Sequence, residues 1–164
     1  MCRTGLLLIS LVASATAGAQ IPIQKVYDEV RIDQKLGGQL PLDLVFRDEQ
    51  GKPVTLNDYF HSGPVVLSLV YFQCPMLCTQ VLNGMVDGFR GLSFSAGKEF
   101  SVITVSIDPR ETPSLASEKK EGYLDAYGRT GAARGWHFLT GDEASVKALA
   151  DAVGFHYLFD PRSG

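Results

Sequence analysis

The chain has 164 residues, which is enough for one domain with a hydrophobic core and too few for two domains of ordinary size. Its apolar fraction of 45% and charged fraction of 20% are those of a soluble globular protein. The formal net charge is only −3 and no Lys/Arg cluster is seen, which argues against nucleic acid or an anionic membrane surface as a partner.

Residues 1–19 have the pattern of a secretory signal peptide. Arg3 supplies a positive charge, residues 6–13 are apolar, and Ala17-Gly18-Ala19 is a small-residue cleavage site. The apolar stretch is too short to cross a bilayer. We therefore expect cleavage after Ala19, export and loss of Cys2. The alternative is an uncleaved anchor.

Residues 20–40 are polar and mixed in character, which predicts a lead-in segment along the edge of a domain formed by residues 41–164. Within that domain, residues 43–47 and 53–56 alternate between apolar and polar side chains on either side of a polar loop. This pattern predicts a β-hairpin.

The cysteine-bearing segment follows the hairpin. The nearly continuous apolar run at residues 65–72 predicts a strand buried on both faces of a parallel sheet. Pro75 suits the first turn of a helix that runs to about Phe89. Six apolar residues recur at helical spacing and predict the face that packs on the sheet: Leu77, Val81, Leu82, Met85, Val86 and Phe89.

The rest of the chain alternates between predicted strands and helices. Strands are predicted at 100–107, 136–139 and 155–159, and helices from Thr112-Pro113 to about Tyr127 and from Gly141-Asp142 to Gly154. This alternation predicts an α/β fold, a sandwich of three layers. Residues 160–164 have the composition of a turn, which predicts that the domain continues with a further strand and is incomplete at its C-terminus.

Two cysteines, Cys74 and Cys78, lie four residues apart where the predicted strand passes into the predicted helix. This spacing places both sulfurs on one face of the first helical turn. Free N–H groups and the helix dipole favour thiolates there, so we expect readily ionised thiols. We expect Cys74 to be the more exposed of the two, because Cys78 borders the apolar stripe.

Such a pair can bind a soft metal ion or cycle between dithiol and disulfide. Cu(I) accepts two thiolates with one further ligand such as an imidazole, whereas structural zinc usually requires four protein ligands. A purely structural disulfide is the weaker interpretation, because so short a loop gains little stability from closure. The residues alone leave metal binding and redox chemistry open.

Other candidate ligands are less well placed. We expect His61, His137 and His156 to have ordinary polar or packing roles, because His61 and His137 lie at the opposite sheet edge from the cysteines and the same holds for His156 in a parallel strand. Met76 is expected to make apolar contacts. Asp108 follows the strand at 100–107 and lies at the same sheet edge as the cysteines. Its carboxylate could hydrogen-bond a ligand or raise the pKa of a thiol, or it could simply begin a turn.

Three blocks together resemble the Sco/SenC family: the segment Tyr71-Phe-Gln-Cys-Pro-Met-Leu-Cys78, the segment Val105-Ser-Ile-Asp-Pro109 and the segment Phe138-Leu-Thr-Gly141. The resemblance covers roughly residues 40–164. It implies a thioredoxin-like fold and a periplasmic, copper-binding protein that helps to assemble the binuclear copper site of cytochrome c oxidase. If the N-terminal segment is retained, such a protein is tethered to the inner membrane. The continuation Arg110-Glu111 departs from the commoner family pattern.

The resemblance also implies site residues and partners. Cys74 and Cys78 match the family's copper-binding and redox cysteines, Asp108 matches an aspartate of its motif, and a third ligand, a histidine, is expected beyond Gly164. The implied partners are the copper-containing subunit of cytochrome c oxidase and thiol-disulfide reductants. The alternative function is a periplasmic thiol-disulfide reductase that acts on other proteins; the absence of a separate peroxidatic motif argues against a peroxidase.

Overall fold

A computed structural model of the chain describes residues 23–60, 63–74 and 77–159. The predictions for the signal peptide, for His61, Pro75 and Met76, and for the turn at 160–164 lie outside these residues. No helix among the described residues has both the length and the apolar character needed to cross a membrane.

The chain divides into two compact units. One unit comprises residues 1–30 and 157–164, and its described part contains the short helix α1, Ile23–Glu29. The second unit, Arg31–His156, contains the remaining elements. Its strands are β1 Arg31–Ile32, β2 Val45–Arg47, β3 Pro53–Thr55, β4 Val65–Val70, β5 Ser101–Ser106, β6 Trp136–Leu139 and β7 Phe155–His156. Its α-helices are α2 Leu77–Gly91, α3 Pro113–Tyr127 and α4 Glu143–Val153.

Three parallel strands in the order β4-β5-β6 form the sheet of the larger unit. Strand β5 lies in the centre and is almost fully buried, whereas β4 is half-buried along most of its length. Among the described residues β4 has a strand neighbour on one side only. The strand prediction is confirmed, but burial on both faces was predicted wrongly for all of β4 except Val70.

The predicted hairpin is confirmed: β2 pairs antiparallel with β3, with Phe46 opposite Val54. Asp48 shapes the connecting loop because its carboxylate accepts the backbone N–H groups of Gln50 and Lys52, each at 2.9 Å. Arg47 pairs with Thr140 just after β6, which ties the hairpin to the carboxyl edge of the sheet.

The two later helices begin and end where the sequence predicts. The Thr112 hydroxyl accepts the N–H of Leu115 at the start of α3, and Asp142 accepts the N–H of Ser145 at the start of α4. Gly128 and Gly154 end these helices in the left-handed conformation.

Helix α2 packs on the aromatic core through four of the six residues of the predicted stripe, Leu82, Met85, Val86 and Phe89. Leu82 and Val86 are buried, but Leu77 and Val81 are 65% and 53% exposed. Residues four apart advance by about 40° around a helix of 3.6 residues per turn, so a row with that spacing turns from solvent towards the core along its length. The prediction that Leu77 and Val81 face the sheet is therefore wrong.

The last predicted strand is shorter than expected and lies outside the parallel sheet. Strand β7 has two residues and pairs antiparallel with β1, which comes from the lead-in segment. The Asp33 N–H donates to the Gly154 carbonyl at 2.8 Å, which fixes this pairing at the end of α4.

Candidate two-cysteine site

Cys74 lies in the loop between β4 and α2, and Cys78 lies in the first turn of α2. The backbone N–H of Cys78 donates to the Cys74 sulfur at 3.2 Å, and the Thr79 hydroxyl donates to the Cys74 carbonyl at 3.0 Å. Because the first N–H groups of a helix have no partner within the helix, the Cys74 sulfur acts as a cap of α2.

The two cysteines are free thiols whose side chains are in contact with one another. Burial raises the pKa of the Cys78 thiol; a hydrogen bond with the Tyr71 backbone acts in the opposite direction, and the contact with Cys74 raises the pKa further. The expectation of a readily ionised thiol is therefore wrong for Cys78, since burial opposes the formation of a charge.

The order of exposure is the reverse of the predicted one. Cys74 is only 7% exposed, whereas Cys78 is half-buried. Cys74 follows the buried Phe72 and tucks its sulfur against the start of α2. Cys78 packs at the margin of the aromatic core and keeps part of its surface in solvent. The sequence showed the helical turn but not the depth at which the loop before it lies.

Tyr71 is a further neighbour of the thiols. A hydrogen bond with the Cys74 side chain, more than burial, raises the pKa of Tyr71 to about 12. The phenol therefore remains neutral throughout the physiological range and keeps its proton available for the Cys74 sulfur. Sequence reasoning included Tyr71 in the matched segment but gave it no role.

Glu111 is the carboxylate that contacts the cysteine-bearing loop, and the sequence reasoning missed it. Its carboxylate accepts the backbone N–H groups of Phe72 and Gln73, each at 2.7 Å, and the hydroxyl of Ser106. An acidic residue just after β5 and just before the cap of α3 was the available signal. That signal was assigned to Asp108 instead.

The carboxylate of Asp108 is bound by Arg110. The Arg110 guanidinium donates to it at 2.6 and 2.8 Å, and the hydrogen bond with this side chain holds the pKa of Asp108 below its usual range. The backbone N–H of Arg110 donates to the same carboxylate at 2.9 Å. This hydrogen bond is typical of a turn that begins at an aspartate, which is one of the two roles predicted for Asp108. A role for Asp108 beside a bound metal stays a prediction.

The two described histidines have local partners. His137 packs against Tyr59 with ring centroids 4.4 Å apart and ring planes tilted by 42°, and burial lowers the pKa of its ring. His156 contacts the carboxylate of Asp33 at 2.9 Å. Within the described ranges, no three His, Cys, Asp or Glu side chains come close enough together to hold a metal ion.

Solved structures share this architecture. A candidate electron transfer protein from Aquifex aeolicus VF5 is 25% identical, with a TM-score of 0.60 and coverage of 77% of both chains. Apo Sco1 from Thermus thermophilus is 25% identical, with a TM-score of 0.57 and coverage of 81% of this chain and 71% of that one. Bradyrhizobium japonicum ScoI with copper bound is 25% identical, with a TM-score of 0.50 and coverage of 67% and 64%.

These likenesses confirm the predicted fold class, an α/β fold of the thioredoxin-like kind. No curated protein matches the chain by sequence. The sequence profile of the SCO1/SenC family matches residues 35–163, which span the hairpin, the parallel sheet and both cysteines. The chain belongs to the SCO1/SenC family.

Proposed function

We propose that this chain is a periplasmic copper-binding protein that delivers copper to the binuclear copper site of cytochrome c oxidase, or reduces the cysteines of that site. The observation that carries the proposal is the pair of free thiols, Cys74 and Cys78, in mutual contact at the start of α2. Proteins of the SCO1/SenC family bind copper and take part in the assembly of this oxidase.

The chemistry of the donor pair supports copper as the cargo. Two sulfurs in contact match the preference of Cu(I) for soft ligands and low coordination numbers. Copper binding requires thiolates, so it displaces protons from the two thiols, and oxidation of the pair to a disulfide removes both ligands. The resemblance implies a histidine as the third ligand beyond Gly164, and we include that ligand in the proposal.

The test is the copper stoichiometry of the reduced exported protein under anaerobic conditions. We expect about one Cu(I) per chain, since the two sulfurs form one site. The double variant Cys74→Ser/Cys78→Ser should bind none at the same free copper concentration. His137→Ala is the matched control and should bind like the wild type, because that ring packs against Tyr59 and lies within hydrogen-bond distance of the Arg134 carbonyl, at the opposite sheet edge from the cysteines. Unchanged binding in the double variant would refute the proposal.

X-ray absorption at the copper edge tests the ligand set. We expect two sulfur neighbours in the loaded protein, and one nitrogen neighbour in a chain that extends beyond Gly164 and carries the proposed histidine. A spectrum with fewer than two sulfur neighbours would argue against copper binding by the pair.

The second candidate function is thiol-disulfide reduction, which the sulfur contact also favours. One thiolate attacks a partner disulfide and forms a mixed disulfide as one partner thiolate leaves; the other cysteine then attacks, so the partner gains two electrons and the pair becomes a disulfide. The sequence predicts Cys74 as the attacking residue, whereas the exposures favour Cys78. If this activity exists, the variant that lacks the resolving cysteine should trap a mixed disulfide: Cys78→Ser if Cys74 attacks, and Cys74→Ser if Cys78 attacks. A lack of trapped adducts in both variants would exclude it.

Export is part of the proposal and rests on the signal-peptide pattern of residues 1–19. Cell fractionation should find the protein in the periplasm, and N-terminal sequencing of the mature form should begin at Gln20. A mature protein that retains Met1 in the membrane fraction would instead establish an inner-membrane anchor, and a cytoplasmic protein would contradict the proposal.

A further inference from the structure

We propose that Glu111 is the positioning residue of the two-cysteine site, and that its carboxylate holds the Cys74 loop at the depth and orientation that the pair requires. Only the predicted effect on copper affinity rests on the proposed function. The effect on the position and accessibility of the two thiols does not depend on it.

The contacts converge on one carboxylate. One oxygen of Glu111 accepts the N–H of Gln73, and the other accepts the N–H of Phe72 together with the Ser106 hydroxyl. Phe72 and Gln73 are the two residues that precede Cys74, and Ser106 is the last residue of β5. The side chain therefore fastens the cysteine-bearing loop to the end of the central strand.

A carboxylate is the group that can satisfy this set of donors. It accepts hydrogen bonds through both oxygens and donates none, and bonds to a charged acceptor are stronger than neutral ones. A glutamine amide would turn an NH2 group towards one of the three donors. Glu111→Gln therefore keeps the size of the side chain and loses part of its function as an acceptor.

The loop transmits this constraint to the sulfurs. The buried Phe72 ring anchors the loop in the aromatic core, and the Glu111 bonds fix the backbone at residues 72 and 73. The next residue, Cys74, then meets the N–H of Cys78 at 3.2 Å. When only a fraction of molecules holds the loop in this arrangement, the apparent affinity for a ligand of both sulfurs falls by the same fraction.

The first test needs no metal. The rate of alkylation of Cys74 by iodoacetamide, followed by peptide mass spectrometry on the reduced exported protein, reports how often the buried sulfur becomes accessible. We expect Glu111→Gln to raise that rate about tenfold. Freeing about one residue of backbone changes the equilibrium between the closed and open loop by about this factor. Ser106→Ala removes one donor of the three and should raise it less, which gives a second variant if Glu111→Gln fails to fold.

Glu49→Gln is the matched control. Glu49 is also a buried carboxylate that accepts a backbone N–H, that of Phe138 at 2.8 Å, but it pairs with Lys120 and touches no residue of the cysteine loop. We expect this variant to unfold at lower denaturant concentration while Cys74 keeps its wild-type alkylation rate. A purely structural role of Glu111 predicts the same result for Glu111→Gln.

Copper affinity supplies the second readout, measured by competition with a chromogenic Cu(I) chelator. We expect about tenfold weaker binding in Glu111→Gln, and partial recovery in Glu111→Asp, which retains the charge. Wild-type alkylation in Glu111→Gln would overturn the positioning role even if the protein binds copper through both cysteines. Faster alkylation in a protein whose cysteines bind no copper would confirm the positioning role and refute the proposed function.

Discussion

At the scale of single residues, Cys74 and Cys78 lie together at the start of α2 but have different environments. The Cys74 sulfur is buried, caps α2 and contacts the Tyr71 hydroxyl, whereas Cys78 retains partial contact with solvent. Position at a helix start favours thiolates, yet burial opposes charge, and at Cys78 burial has the larger effect on the pKa. The local environment of each sulfur, not the spacing, therefore determines its reactivity.

The raised pKa of Cys78 predicts slow alkylation at neutral pH. The rate at Cys78 in the reduced native protein should reach half of its maximum above about pH 8.5, the ordinary value for a cysteine thiol, whereas in denaturant it should do so near that value. The pKa of Cys78 is higher in the folded protein than in the unfolded chain, so the neutral thiol contributes to the free energy of unfolding. This contribution is complete below the pKa of the unfolded chain and is lost as the pH rises through the pKa of the folded protein. A native midpoint at or below pH 8 would contradict the shift.

At the scale of elements, α2 shows how an apolar pattern can indicate a wider face than the one that packs on the core. The inward residues include Leu82 and Val86, and the partly buried Met85 and Phe89 pack against the same core. Leu77 and Val81 extend the apolar row on the solvent side. The six apolar residues span about half of the helix circumference, so periodicity alone does not fix the rotation about the helix axis.

Alanine substitutions separate the two faces of α2. Leu82→Ala should lower the free energy of unfolding by about 3 kcal/mol, because it removes a fully buried side chain and leaves a cavity. Leu77→Ala should change it by no more than about 0.5 kcal/mol, since that side chain is mostly in solvent. Denaturant titrations measure both values. Equal losses would show that the helix is rotated towards the predicted face.

The junction between α4 and β7 gives a second prediction at this scale. A Cβ on Gly154 would lie 2.0 Å from the Asp33 carbonyl oxygen, in a backbone with φ of 71°. Gly128 has nearly the same φ, 68°, but its nearest neighbour would be 3.8 Å away. Gly128→Ala should therefore cost about 1 kcal/mol of unfolding free energy, from the left-handed conformation alone.

Gly154→Ala should cost clearly more than Gly128→Ala and should break the β1–β7 pairing, because Asp33 must move away. Thermal unfolding gives the costs of both variants. Amide exchange at Asp33, whose N–H donates to Gly154, reports the pairing directly. Equal costs for the two variants would indicate that β1 is not held against the end of α4.

At the scale of the larger unit, a buried ion pair joins three parts of the fold. Glu49 in the hairpin loop contacts Lys120 of α3 at 2.8 Å and accepts the N–H of Phe138 in β6 at 2.8 Å. Both side chains are largely buried, with 3% and 15% of their surfaces exposed. These contacts connect the hairpin, a helix and an outer strand of the sheet through side chains far apart in sequence.

Removing one member of this pair should destabilise the whole unit. Glu49→Ala leaves the Lys120 charge and the Phe138 N–H without their partner, and we expect a loss of about 3 kcal/mol in denaturant unfolding. Glu49→Ala/Lys120→Met should recover part of that loss, because no unpaired buried charge remains. Equal stability of the single variant and the wild type would show that the pair adds nothing to the fold.

The local pattern of the sequence determined the hairpin, the element order that follows it, the caps of α3 and α4, and the position of two thiols at a helix start, but it did not predict α1 or β1. These features depend on propensity, alternation and capping, which act between residues close together in the chain. The tertiary structure alone decided which cysteine is buried, which face of α2 meets the core, that β7 pairs with the lead-in strand, and that Glu111 holds the Cys74 loop. Each of these depends on contacts between segments distant in sequence, and the relative depth of such segments follows from how the core packs rather than from the pattern of any one of them.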